Sequence, residues 1–342
     1  MAVGRRGFDD DVEPLAARRD QMNPRAEAQA RVGDRFDVRV LEPSPPAVTA
    51  EPFADDPVAT EPRATGAPVL SPIPNGDRTW DDLAAAEPDL AEFCSARWLG
   101  AWRPLEPIID LERYVQTRLS WHALAEHVLA PARHAVNAKI GLRFTHGGFG
   151  TPFFGTDRQV LVHGDRLTVV RDGVETDAPV TTLAAAGAAI GVTPGAPTEV
   201  FTPTTDGDPE AMLAIDAVAA QRLGDWFGFA CSLLETVRAE ATAPSDSPSL
   251  VQLWPEHFDL GADLGDESGG HRGTFGASPG DVAHPEPYLY VTHWSDVPSD
   301  PFWNATAFPG AIRSYSELVA APDARAVGLG FLRAGRAALG GG

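Results

Sequence analysis

The sequence predicts an α+β fold: antiparallel sheets and meanders packed against long helices, not a doubly wound parallel sheet. Three observations carry that prediction. Residues 158–174 alternate apolar and polar side chains around two hairpin dipeptides, Gly164-Asp165 and Asp172-Gly173, which is the pattern of a meander. Residues 249–294 form a second strand-rich stretch. Residues 110–136 and 208–241 carry apolar side chains at helical spacing, so strands come in groups and helices separate the groups.

Taken in order, residues 1–33 are rich in Arg, Asp and Ala with little apolar periodicity, and disorder is expected there. Residues 34–78 read as a Pro-rich extended segment that can dock on the core through Phe53, with a short strand at 36–41. Residues 79–342 read as a single α+β domain. Within it, Thr79 caps a short helix, and Pro88 opens another that reaches Leu99. The helix over 110–136 carries Leu111, Tyr114, Val115, Arg118, Leu119, His122, Ala125 and Leu129 at i, i+3, i+4 spacing, and Pro131 is expected to kink or split it. Residues 139–145 alternate into a strand, and HGGFGTPFFG after it reads as a loop. Thr181 or Thr182 caps an Ala-rich helix ending at Ile190. After a loop at 193–207, Asp208 as N-cap and Pro209 as first residue start the longest predicted helix. Residues 250–264 read as one extended strand, interrupted at most by Pro255, and 288–294 as another. Ser314 and Glu317 form a capping box, and a last helix over 322–339 stops at Gly340.

The formal net charge is -21. Nucleic acids and anionic membranes both need a basic footprint, so neither is expected as a partner. No apolar stretch approaches a membrane span, and no positive region followed by an apolar run marks a signal peptide. Cys94 and Cys231 lack CxxC spacing and read as free thiols in a reducing compartment, so a cytoplasmic location is expected.

The chemistry concentrates in residues 249–294. On one extended strand, His257 and Asp259 would share a face, roughly 7 Å apart. Such a pair suits a polar pocket, or two ligands of a metal site completed by His284, although no HExxH-type signature is present. Gly276-Ala277-Ser278-Pro279-Gly280 matches the nucleophile-elbow pattern, with an HGGFG run at 146–150 resembling its oxyanion loop. Pro279 removes the backbone N–H that an elbow needs after its serine, so Ser278 to Asp281 reads as a tight turn instead.

The runs NAKIGLRFTHGGFGTPFFG, LWPEHFDLG, FGASPGD and HPEPYLYV resemble a family of uncharacterised bacterial proteins with no assigned activity. The resemblance covers about 36–339 and implies that 36–57 is ordered and 264–272 a variable loop; it implies no cofactor and no catalytic residue. The leading expectation is a protein that binds a small ligand or a protein partner. Its pocket would combine Arg143, His146, Trp254, His257, Asp259 and Tyr288, with Arg143 pairing an acidic group on the ligand. One alternative is a metal-dependent hydrolase using His257, Asp259 and His284. The other is an interaction protein without a site, for which an exposed His257 would speak.

Overall fold

The computed structural model describes residues 39–40, 68–69 and 103–340, except residues 146, 152–153, 155–157, 172–173, 242, 296 and 298. The expected helices at 79–99, Cys94 and most of the two N-terminal segments lie outside the described residues. Within the Pro-rich stretch, Arg39–Val40 pairs antiparallel with Pro68–Val69.

Helix α1 begins as Leu111–Leu124, where the Asp110 side chain accepts from the Arg113 N–H at 3.1 Å. It continues through a π-helical turn, Ala125–Leu129, and ends as Ala130–Asn137. The expected kink or split at Pro131 is replaced by this turn. Proline cannot donate and its ring crowds the carbonyl four residues back, and the wider turn just before it accommodates both.

Five antiparallel strands follow in sequence order: β1 (Arg143–Thr145), β2 (Gly148–Gly150), β3 (Arg158–His163), β4 (Arg166–Arg171) and β5 (Val174–Pro179). The meander expected from Gly164-Asp165 is there, with His163 opposite Arg166. The glycine-rich run expected as a loop instead contributes β2, a strand between β1 and β3. Glycine is needed because a Cβ at Gly148 would lie 1.9 Å from the Val162 carbonyl oxygen.

Thr182 caps α2 (Leu183–Ile190) as expected, accepting from the Ala185 N–H. Helix α3 (Ala217–Glu240) starts at Asp216, not at Asp208, which accepts only in a local turn from Glu210 N–H. Residues 208–216 are drawn out along α1. The Ser120 hydroxyl donates to Ala214 O and accepts from Ala214 N–H, and Thr117 Oγ1 accepts from Asp216 N–H at 3.0 Å. These contacts compete successfully with a helix start that the sequence favours locally.

The second sheet is another five-stranded antiparallel meander, with β6 (Gln252–Trp254) at one edge, then β7 (Asp259–Leu264), β8 (Gly273–Ser278), β9 (Tyr288–His293) and β10 (Gly310–Ser314). The single strand expected over 250–264 is therefore a hairpin, turning between Trp254 and Asp259. The chain closes with α4 (Tyr315–Ala320), opened by the Ser314–Glu317 capping box, and α5 (Ala324–Ala338). Most helical segments are short; α3, at 24 residues, is the exception.

The two sheets meet edge to edge. Leu142 and Leu253 exchange backbone hydrogen bonds of 2.7 and 2.9 Å. Phe258 marks where the layers converge, packing against Phe149 of β2, Phe227 of α3 and His122 of α1 with ring centroids 5.0 to 5.4 Å apart. Among the described residues, no helix is long and apolar enough to cross a membrane.

Candidate functional site

One stripe of α1 organises the loops at the end of the second sheet. Tyr114, Arg118, His122 and Glu126 are spaced four residues apart, so they line one side of the helix. Three of them reach proline carbonyls. Tyr114 Oη donates to Pro279 O at 3.0 Å, Arg118 Nη1 to Pro285 O at 3.2 Å, and His122 Nε2 to Pro255 O at 2.8 Å. Each carbonyl lies on a turn or loop that joins neighbouring strands, so α1 holds the β6–β7 and β8–β9 connections side by side.

Glu126 ends the stripe, fully buried. It accepts from both N–H groups and both hydroxyls of Thr204 and Thr205, the backbone donors lying at 2.8 and 2.9 Å. His122 Nε2 stands 3.4 Å from Glu126 Oε1, the oxygen that also accepts from Thr204. Burial alone would raise its pKa, but the hydrogen bond and charge of His122 and the threonine donors outweigh it and hold the carboxyl at about 2.

The β6–β7 turn carries the chemistry. Phe258 adopts φ +54, a left-handed conformation rare for an aromatic residue, and its N–H bonds to Trp254 O at 2.7 Å. The ring's place in the core holds that backbone in position. Around it, Glu256 is partly buried, His257 is exposed at the tip, and Asp259 is only 7% exposed at the start of β7. Tyr290 of β9 donates to Asp259 Oδ2 at 2.5 Å. Asp259 Oδ1 and Glu256 Oε2 are buried and have no hydrogen-bond partner. Burial raises the pKa of both carboxyls, against the opposing pull of His257.

Two glycines let the aromatic side chains lie across this sheet face. Trp254 Nε1 and Tyr290 Oη meet over Gly261, at 3.4 and 3.6 Å from where its Cβ would be. At Gly276 a Cβ would fall 2.2 Å from Tyr290 Cζ. Gly276→Ala is therefore expected to swing Tyr290 off Asp259, at a cost of about 1–3 kcal/mol in chemical denaturation. An unchanged midpoint would show that Tyr290 is not held over that glycine.

A second polar group adjoins the first. Tyr288 donates to Asp281 Oδ2 at 2.6 Å, Asp281 Oδ1 accepts from His284 N–H at 2.7 Å, and the rings of His284 and Tyr288 lie 5.1 Å apart. Tyr288 and Tyr290 are 6.3 Å apart, ring to ring. Ser278, the last residue of β8, is buried and accepts from Gly280 N–H, and β9 rather than a helix is the next element.

Of the residues singled out from the sequence, Trp254, His257, Asp259 and Tyr288 fall around this turn. Trp254 sits directly across the hairpin from Asp259. His257 and Asp259 do not share a strand face, because residue 257 belongs to the turn. Arg143 follows the Leu142–Leu253 bridge, and its charge is felt by Arg133 of α1 and Cys231 of α3. His146 lies outside the described residues. His284 belongs to the Asp281–Tyr288 group, and among the described residues no three His, Cys, Asp or Glu side chains come together as a metal-ligand set. The expected convergence of His257, Asp259 and His284 is thus not formed, because the hairpin sends His257 to the tip while His284 stays beside Asp281.

Sequence reasoning passed over Glu126, Glu256 and Tyr290. The four-residue spacing from Tyr114 to Glu126 was the available signal, hidden because the same helix carries an apolar repeat. Compared with protein-family models, curated proteins and solved structures, the chain finds no match.

Proposed function

We propose that this protein binds a small polar ligand at the β6–β7 turn, beside Trp254, Glu256, His257, Asp259, Tyr288 and Tyr290. The observation that carries the reading is the pair of buried carboxyl oxygens, Asp259 Oδ1 and Glu256 Oε2, left without hydrogen-bond partners. A buried acceptor with nothing to accept from costs about 1–3 kcal/mol. Proteins tolerate such a cost where function needs the group.

The test is Asp259→Asn, which keeps the shape and leaves Tyr290 an acceptor. A carboxyl whose folded pKa is raised destabilises the fold increasingly as pH rises from its unfolded pKa to its folded pKa, and the whole loss persists above that. Removing the carboxylate should therefore raise stability at pH 7 while weakening ligand binding. Thermal melts of both proteins against a small-molecule library read both effects. A variant that is less stable, or that keeps every ligand response of the wild type, removes the site. A second reading, an interaction protein without a pocket, draws on the exposure of His257 and of Val282 on the neighbouring loop. It predicts no small-molecule response in either protein.

A further inference from the structure

We infer that the ligand of this site carries an organic cation, an ammonium or guanidinium group, received by the Asp259 and Glu256 carboxyls beside Trp254 and Tyr290. The inference rests on the binding reading above and adds the chemical class.

Asp259 and Glu126 both act on Glu256, and His257 opposes the effect of burial at Glu256 and Asp259. His122 is taken up by Pro255 O and Glu126, and Glu126 is already saturated by the two threonines. Arg118, on the same helix stripe, is turned to Pro285 O. Asp259 and Glu256 are left with the exposed His257 at the turn's tip. Two buried acceptors without donors, in a place poor in positive charge, call for a group that brings donors and charge together.

Other ligand classes fit less well. An anion would meet two carboxyls, and among the described residues the turn itself carries no arginine. A neutral polyol would supply donors but leave the charge of an ionised, buried carboxylate uncompensated. A metal ion finds no set of three ligands among the described residues. An ammonium or guanidinium supplies several N–H donors and gains from nearby aromatic rings. The formal net charge of -21 adds a long-range field that gathers cations.

The experiment titrates the purified full chain with ethanolamine, putrescine and agmatine, with glucose and sodium acetate as neutral and anionic probes, by calorimetry at low salt. Wild type is compared with Asp259→Asn and with Glu256→Gln. The expected result is binding of at least one cation, weakened tenfold or more by either substitution, with no response to glucose or acetate. Binding of glucose or acetate without any cation would overturn the cationic class yet leave the site standing. Cation binding that survives both substitutions would be non-specific attraction to an acidic surface and would overturn the inference. No cation binding in the wild type also overturns it. The stability of Asp259→Asn then reports separately on the site: a gain keeps it, and no gain removes it as well.

Discussion

Glu126→Gln is expected to destabilise the protein by about 3 kcal/mol at pH 7, the free-energy equivalent of a carboxyl held at about 2 rather than 4.5. The glutamine side chain has nearly the same shape but no charge, and its NH2 group would face backbone donors at Thr204 or Thr205 that need an acceptor. The pH dependence identifies the cause. A carboxyl whose folded pKa is depressed contributes its stability fully above the unfolded value and loses it as pH falls toward the folded one. The gap between wild type and variant should therefore be constant above about pH 5 and close progressively as pH falls toward 2. Urea unfolding at pH 7, 4 and 3 measures it. A gap that does not change with pH would assign the loss to packing rather than to the buried charge. The same variant loosens Thr204 and Thr205 from α1, so protease cleavage near them should accelerate.

Phe258→Ala is expected to cost about 3–5 kcal/mol, the usual range for deleting a large aromatic side chain from a packed core. Three rings lose their contact at once: Phe149, Phe227 and His122. The backbone adds to the loss, because φ +54 is also unfavourable for alanine and the ring that held it is gone. Phe258→Gly separates the two contributions, since glycine adopts that φ without strain. It should be no less stable than alanine despite removing one more carbon. If Phe258→Gly is clearly the weaker of the two, the turn is not held under strain in the native state. Both variants should also loosen the turn that presents Glu256 and Asp259. Their carboxyls would then gain water, and the ligand affinity proposed for the site would fall with them.

These two positions also show what could be read from the chain alone. Phe258 reads as one apolar residue in an alternating run, and nothing within the run reveals that the chain reverses there. The reversal is fixed by partners on α1, β2 and α3, the first two more than a hundred residues away in sequence and the third 31. Glu126 is similar. Its meaning depends on Thr204 and Thr205, 78 and 79 residues downstream, and on a π-helical turn that no local propensity announces. The site residues chosen from the sequence share one segment, so Trp254, His257, Asp259 and Tyr288 come out near one another. Arg143 comes from a different strand, β1, and its charge is felt by Arg133 of α1.

The sequence by itself determined the features encoded within a few residues. The Ser314–Glu317 capping box, the Thr182 cap, the Gly164-Asp165 hairpin and the grouping of strands into antiparallel meanders all follow from local hydrogen bonding, turn chemistry and periodicity. Tertiary structure decided the rest. It made a strand of the Gly148–Gly150 run by placing β1 and β3 on either side, and it moved a helix start from Asp208 to Asp216 by tying the intervening chain to Ser120 and Thr117. It also left two carboxyl oxygens of one turn buried without donors. The physical reason is the same in each case. A cap or a hairpin turn is satisfied by its own neighbours, whereas burial, strand partners and the pairing of a buried charge depend on residues that only folding brings close.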